Sequence, residues 1–396
     1  MAGYAVSSYG TFLNMVALNL FVYETTGRAL ALGLFMAVRL GSGFAAGLTA
    51  GTLLARFTAK SIMLWTNIAQ AAVMLLLICA PDALRTAALV AVSVVVGGCG
   101  TLFMVALRSS IPEMVGEERR SWANSLSITG RSMAMVAGFA SAGVVVSLVG
   151  YTAAFVVDMA TFTVCAVTVA LLPFAGGGER RPERAEEEAP AARRRMPVAF
   201  AALSAVPGMA LMVALRGVDA LGSSSHNAAL PVYSSTLDAA RPAVFVSAFW
   251  CLWALGNIAA QRAVQRYGRR TGRAPGAAAF GYGTCLMSGS FVLAFAGFGP
   301  VATAVVALVA GAADGLTEVA YTSHLQTLPA GPRAHAFGLS ATVENLGFGA
   351  GMILVAAALD RFSPLAVVGW SHGVALLVAV VFLIRVRGAR GTATAP

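Results

Sequence analysis

Eight charged side chains lie inside long apolar runs of this sequence, and each is a candidate for chemistry. Three are cationic and five anionic: Arg39, Arg131 and Arg216, and Asp158, Asp219, Asp314, Glu318 and Glu344. A charge in hydrocarbon is costly, so such residues line a cavity or pair with one another. Asn345 directly follows Glu344, and this polar pair is suited to contacting a solute or to satisfying a break in a helix.

Arg216 and Asp219 are three residues apart, a spacing that places both side chains on one face of a helix. The simpler interpretation is a local ion pair that neutralises its own burial. Together with the other two intramembrane arginines, Arg216 gives the predicted cavity a cationic character. That character favours an anionic or neutral solute that bears a carboxyl group.

Asp314 and Glu318 are four residues apart and carry the same sign of charge. Two close carboxylates in a medium of low dielectric favour sharing one proton, because ionising both is penalised. The pair is therefore a candidate proton carrier. The alternative is that an arginine from another helix, such as Arg39 or Arg131, neutralises it.

The elements that position these residues are membrane spans. Of the 396 residues, 58% are hydrophobic and only 11% are charged, which leaves too little polar surface for a water-soluble globule. The apolar runs are continuous and not alternating, so they predict α-helices and exclude a β-barrel. Twelve runs are long enough to cross about 30 Å of hydrocarbon. They lie at roughly 2–22, 29–54, 62–80, 84–106, 123–148, 152–174, 198–221, 242–261, 275–298, 300–322, 336–358 and 364–386.

The net charge of +10 is distributed by loop and does not form a patch for nucleic acid. Twenty basic residues follow even-numbered spans, whereas Arg28, Arg85, Arg241 and Arg361 lie on the other side. The positive-inside rule therefore places both termini in the cytoplasm. One lysine against 26 arginines, with abundant alanine, glycine and valine, suggests a GC-rich bacterial genome and an inner membrane.

One long polar stretch, 175–197, divides the chain almost at its middle. We expect an all-α polytopic membrane protein with two pseudo-symmetric six-helix halves, 1–174 and 198–388, a cytoplasmic linker at 175–197 and a cytoplasmic tail at 389–396. The turn that begins at Gly51 has an echo at Gly256, 205 residues later. Parallel repeats of this kind predict a solute site between the halves near the midplane, and alternating access.

The sequence predicts neither a cofactor nor a metal. Cys79, Cys99, Cys165, Cys251 and Cys285 all lie in apolar runs without paired spacing, which is typical of buried free thiols. The two histidines near span ends, His226 and His324, have no partner at metal-ligand spacing. No G-x-x-x-x-G-K-[ST] sequence is present, so the chain itself does not use ATP. We expect a monomer whose partners are the bilayer, protons and a small-molecule solute, with no role for nucleic acid.

Five segments carry a resemblance to a known family. They are "FVYETTGRALALGL" (21–34), "GTLLARF" (51–57), "RSSIPEMV" (108–115), "ANSL" (123–126) and "AAFVVDMATF" (153–162). With twelve spans, two halves and a polar tether, they resemble the major facilitator superfamily. Within it they resemble the drug:proton antiporters that include enterobactin exporters and macrolide efflux pumps. The resemblance covers the N-terminal half and is architectural in the C-terminal half.

The signature turn of that family, G-x-L-A-D-R-x-G-R-R/K, lies between the second and third spans. Gly51, Leu53, Leu54, Arg56 and Lys60 stand at or near matching positions, but Ala55 replaces the aspartate. The resemblance implies that this aspartate latches the halves in the outward-facing state. The candidate gate residues are Gly51, Ala55, Arg56 and Lys60, with Gly256 and Arg262 after the eighth span.

Two further positions depart from the family pattern. Thr11 replaces an acid of the first span, and Phe139 replaces a proline of the fifth. If proton coupling persists, it depends on the remaining intramembrane acids. The leading hypothesis is a proton-coupled exporter of a small amphipathic compound such as a drug, a siderophore-like molecule or a natural product.

The alternative is a membrane protein of the same fold that does not transport. It would be either a sensor or an intramembrane enzyme that uses Asp314 and Glu318, or Glu344, as acid and base. The missing gate positions motivate this alternative, because a protein that no longer cycles is released from gate requirements.

Overall fold

The computed structural model describes residues 1–172, 209–273, 275–328 and 330–393. Within these ranges the chain forms twelve α-helices, two short 3-10 helices and no strand. The predicted linker at 175–197 and residues 198–208 of the predicted seventh span lie outside the described residues. The predicted all-α membrane fold is confirmed.

The described residues separate into two compact units. One holds 1–172 with 234–251, and the other holds 209–233 with 252–393. The first six helices are α1 (Ala2–Thr26), α2 (Ala29–Arg56), α3 (Ala59–Cys79), α4 (Arg85–Val115), α5 (Arg120–Val149) and α6 (Tyr151–Leu171). The next six are α7 (Met209–Leu237), α8 (Pro242–Thr271), α9 (Ala277–Ala294), α10 (Pro300–Leu325), α11 (Ala330–Leu359) and α12 (Pro364–Ala393).

Local sequence signals set several helix ends. Gly27 ends α1 in the left-handed conformation, with φ of 63°, and donates its N–H to the Tyr23 carbonyl at 2.8 Å. The Thr58 hydroxyl accepts the Ser61 N–H at 3.2 Å and caps the start of α3. Proline in the first turn of α10 suits a position whose N–H has no helical partner.

Eleven described helices are long and apolar enough to cross a membrane, and α7 is the exception. This helix runs to Leu237, well beyond the predicted boundary at 221. Its polar middle is satisfied internally, because Ser224 and Ser225 donate to the carbonyls of Leu221 and Gly222, both at 2.6 Å. Both serines are fully buried, so a stretch whose hydropathy resembles a loop is a helix packed against protein.

Glycines bring two helix pairs into close contact, one in each unit. In the first unit, a Cβ on Gly97 of α4 would overlap the Arg39 carbonyl of α2. In the second unit, a Cβ on Gly256 of α8 would overlap the Leu308 carbonyl of α10. Both glycines are therefore required by backbone approach, as small residues often are between membrane helices.

Candidate functional site

Arg216 is the centre of a charged cluster in the second unit. Helix α7 places its guanidinium so that Nη2 donates to Glu318 Oε2 on α10 at 2.7 Å and to Glu344 Oε1 on α11 at 3.0 Å. Nη1 lies 3.8 Å from Asp219 Oδ2, one turn further along α7. One guanidinium thus links three helices, a geometry that suits the planar fork of arginine.

The members of this cluster differ in burial. The Asp219 and Arg216 side chains are 3% and 12% exposed, whereas those of Glu318 and Glu344 are 51% and 41% exposed. The arginine therefore has a buried acid on one side and two accessible acids on the other. Arg216 Nε and Asp219 Oδ1 find no hydrogen-bond partner among the described residues.

Asp314, one turn before Glu318 on α10, has a partner of its own. Asn257 of α8 donates from Nδ2 to Asp314 Oδ2 at 2.7 Å, and Gln261 donates to Asn257 Oδ1 at 2.7 Å. Asp314 and Glu318 thus take separate hydrogen-bond donors. The neutralising arginine that the sequence allowed as an alternative is present, but it is Arg216 and not Arg39 or Arg131.

Tyr321 forms one wall of the cluster and was missed by the sequence analysis. The Arg216 guanidinium carbon lies 5.4 Å from the centroid of its ring, within the range of a cation–π contact. The Tyr321 hydroxyl shares a hydrogen bond of 2.5 Å with the Ser340 hydroxyl. A spacing of three residues from Glu318 was the available signal, because it places Tyr321 on the same face of α10. Asn345 is exposed and lies outside these contacts.

The predicted preference for an anionic or neutral solute that bears a carboxyl group rests on three intramembrane arginines, whose surroundings differ. Arg216 faces three carboxylates within 4.0 Å. Arg131 is exposed, and its guanidinium carbon lies 5.2 Å from the centroid of the Phe12 ring in the first unit. Arg39 is half-buried on α2 and interacts electrostatically with Asp158. Of the three, Arg216 is the one with carboxylates within 4.0 Å among the described residues.

Asp158 lies apart from the Arg216 cluster, buried on α6 of the first unit. Asn14 of α1 donates from Nδ2 to Asp158 Oδ2 at 2.5 Å. Thr161 donates its hydroxyl to the Asp158 carbonyl at 2.8 Å. The intramembrane acids thus form two separate groups, one in each unit.

The predicted gate segment after the second span is a turn between two helices, and a hydrogen bond that the sequence did not predict connects it to α6. Helix α2 ends at Arg56, and Lys60 in the first turn of α3 donates from Nζ to the Leu172 carbonyl at the end of α6, at 2.7 Å. A cation at the carboxyl end of a helix is favourable. Ala55 is exposed, and a Cβ on Gly51 would meet open space, so no close helix contact in this structure requires a glycine there.

The expected counterpart turn after the eighth span is not a turn at Gly256. That glycine lies inside α8, which continues to Thr271, and the exposed Arg262 lies in the same helix. The spacing matched the first half, but Gly256 serves the contact with α10 instead.

A buried polar chain in the second unit joins three helices. His226 Nδ1 and His372 Nε2 are 3.1 Å apart, and His372 Nδ1 lies 3.3 Å from the Ser288 hydroxyl. The Phe291 ring stacks on His226 with centroids 3.4 Å apart. The sequence analysis missed His372 because the partners are 146 residues apart. No group of three or more potential metal ligands occurs in the part of the chain that the structure describes.

A bundle of apolar helices with a charged cluster in one unit defines a polytopic membrane protein. The sequence matches the Major Facilitator Superfamily over residues 1–352, and the chain belongs to that family. This membership supports a secondary transporter in a membrane. None of the curated proteins compared with the chain is similar enough to count as a relative.

Solved structures of transporters share this fold. The peptide transporter POT is 14% identical with a TM-score of 0.70, over 97% of this chain and 93% of that chain. The nucleoside transporter NupG is 14% identical with a TM-score of 0.69, over 97% and 98%. A bacterial homologue of the iron transporter ferroportin, in an inward-facing state, is 12% identical with a TM-score of 0.72, over 97% and 96%. At these identities the similarity shows the fold alone.

Proposed function

We propose that this protein is a proton-coupled exporter of a small amphipathic organic compound and works by alternating access. It acts as a monomer in a bacterial inner membrane, with both termini in the cytoplasm and two halves at 1–174 and 198–388. The observation that carries the proposal is Arg216, a buried arginine bound by two half-exposed glutamates in an apolar bundle. An accessible charge pair of this kind can be opened by a solute or by a proton.

The charge balance of the cluster favours the polar group that a solute brings. Glu318 and Glu344 bind Arg216, Asp219 lies 3.8 Å from it, and Asp314 also interacts with it electrostatically. Four acids around one arginine suit a basic or neutral polar group of the solute better than a carboxylate, because the acids already present would repel a further anion. A proton that binds one of the two glutamates would weaken the hydrogen bond between that glutamate and Arg216. The other glutamate would then remain bound to Arg216.

The resemblance to drug:proton antiporters supports export as the direction. The segments that carry it lie in the N-terminal half, whereas the Arg216 cluster lies in the second unit. We therefore propose membership of that branch on sequence, with a solute site at the Arg216 cluster of the second unit.

The test is transport of fluorescent dyes by everted membrane vesicles. A cationic, a neutral and an anionic amphipathic dye are compared, with and without an uncoupler. We expect uncoupler-sensitive uptake of the cationic or neutral dye. Uptake that persists unchanged without a proton gradient would remove the proton coupling.

Variants link this transport to the cluster. Glu318→Gln and Glu344→Gln are expected to lower uptake at least about tenfold, the effect of about 1.4 kcal/mol on a transport step. Glu118→Gln is the matched control, because Glu118 is an exposed acid in a short helix between α4 and α5. Equal uptake by all three variants would exclude the cluster from transport. Conversion of a candidate natural product by purified protein in detergent, where no gradient exists, would instead favour the enzyme alternative.

A further inference from the structure

The buried carboxyl group of Asp158 is the most unusual polar group in the first unit. Asp158 is 1% exposed and its partner Asn14 is 3% exposed. The hydrogen bond from Asn14 Nδ2 reaches only Oδ2, at 2.5 Å. Asn14 places its other amide hydrogen 3.5 Å from the Met74 sulfur, counted between heavy atoms. The amide has therefore used its donors.

Two buried oxygens beside this hydrogen bond lack a donor. Asp158 Oδ1 and Asn14 Oδ1 find no hydrogen-bond partner among the described residues. Both are acceptors when Asp158 is ionised, so neither satisfies the other. A proton on Asp158 Oδ1 would supply the missing donor, because the protonated oxygen can donate a hydrogen bond to a neighbouring acceptor. Leaving such groups unsatisfied in the protein interior is destabilising.

The Thr161 hydroxyl lies near the Oδ1 side of this carboxyl group, because both atoms surround the position of a Cβ on Gly10. Asn14 Oδ1 belongs to the amide that already binds Oδ2. Thr161 has given its hydrogen to the Asp158 carbonyl at 2.8 Å, and its oxygen retains lone pairs. Gly10 allows this packing, since a Cβ there would lie 2.7 Å from Asp158 Oδ1 and would overlap the Thr161 hydroxyl.

The charges on the surrounding helices leave one counter-charge for Asp158. Helix α6 packs against α1, α3 and α5. The charged groups of these helices have other partners. Glu24 of α1 accepts a hydrogen bond from the Tyr151 hydroxyl, and Lys60 of α3 donates to the Leu172 carbonyl. Arg131 of α5 lies over the Phe12 ring, and the Tyr9 hydroxyl of α1 pairs with the Ser141 hydroxyl. Arg39 on α2 is the cation whose field reaches Asp158. It also disfavours a second fixed cation, such as sodium, at the same place.

We propose that Asp158 is a proton-binding site, occupied in this structure, and that its proton is the one coupled to transport. The O–H of Asp158 donates to Asn14 Oδ1 or to Thr161, and Asn14 donates back to Oδ2. When the proton leaves for water, the carboxylate gains Arg39 as its counter-ion. The coupling role rests on the function proposed above, whereas the bound proton does not.

Infrared spectroscopy of the purified protein in detergent tests the bound proton directly. We expect a carboxylic-acid carbonyl band at neutral pH that is lost in Asp158→Asn. In Asn14→Leu, which removes the hydrogen bond to Oδ2, the band moves to higher frequency. Asp82→Asn is the control, because the Asp82 side chain is 88% exposed and forms an ion pair with Arg85.

Two results would overturn the bound proton. One is a carbonyl region that is identical in the wild type, Asp158→Asn and Asn14→Leu; if Asp158→Asn does not fold, Asn14→Leu alone decides. The other is loss of the band when sodium chloride replaces potassium chloride at constant pH, which would assign the site to sodium.

Dye transport in proteoliposomes tests the coupling role. Asp158→Asn imitates the protonated state, so we expect the rate of transport driven by a pH gradient to fall at least tenfold in this variant. Its movement of dye down the dye's own gradient remains. Equal gradient-driven transport in wild type and variant overturns the role. If the wild type moves no dye, the proposed function fails while the infrared result still decides the site.

Discussion

At the scale of single residues, the chemistry of this protein depends on which partner each buried charge finds. Arg216 has three acids, and their unequal exposure divides them by purpose. Asp219 neutralises the buried side of the guanidinium, whereas Glu318 and Glu344 keep the other side accessible. The same principle leaves Asp158, with an amide instead of a close cation, as the acid suited to hold a proton.

Arg216→Gln is expected to destabilise the protein by about 3 kcal/mol, because removal of one partner leaves Asp219 as a buried, uncompensated charge. Arg216→Gln combined with Asp219→Asn is expected to regain much of this loss, since both charges are then gone. The measurement is reversible unfolding in mixed micelles. Arg385→Gln on an exposed face of α12 serves as the control, with a change within about 0.5 kcal/mol. Additive losses in the double variant would contradict the pairing.

At the scale of elements, backbone contact between helices holds the charged groups in register. Helix α8 carries Asn257, and α10 carries its partner Asp314. Two neighbouring backbone contacts set the distance between Asn257 and Asp314. Gly256 of α8 packs against the Leu308 carbonyl of α10, and Gly315 of α10 packs against the Asn257 carbonyl of α8. A similar contact between α2 and α4 positions Arg39 in the first unit.

Gly256→Ala is therefore expected to lower the melting temperature in detergent and to weaken transport, because its Cβ would collide with the Leu308 carbonyl. Gly289→Ala on α9 is the matched control, since a Cβ there meets open space. It is expected to be neutral or to stabilise by up to about 1 kcal/mol, the helix propensity difference between the two residues. If Gly256→Ala had the same melting temperature as the control, α8 and α10 would be able to move apart without a loss of stability.

At the scale of the whole molecule, membership of the Major Facilitator Superfamily raises the question of the absent gate aspartate. The exposed Ala55 stands at its position, and the adjoining turn is tied to the end of α6 by Lys60. A molecule that retains this tie does not need an acid at position 55 to connect the helices of the first unit.

Ala55→Asp is expected to leave dye transport within about twofold of the wild type, an energetic change of less than about 0.5 kcal/mol. Lys60→Met keeps the length of the side chain but removes its charge and its hydrogen bond to Leu172. We expect it to reduce transport clearly, as measured in the same vesicles. The opposite ranking, with Ala55→Asp more damaging or more activating than Lys60→Met, would show that the missing acid matters to this protein.

The sequence by itself determined the fold class, most of the spans and every member of the charged cluster except its neutral partners. These features depend on local composition and on the cost of a charge in hydrocarbon, both of which are visible without neighbours. The extent of α7 was not, because Ser224 and Ser225 resemble a loop until their hydrogen bonds are known. Spacing along one helix fixes a face but not what that face meets. Only the tertiary structure decided that Arg216 binds Glu318, that Asn257 binds Asp314, and that Asp158 Oδ1 and Asn14 Oδ1 are buried without a hydrogen-bond partner among the described residues.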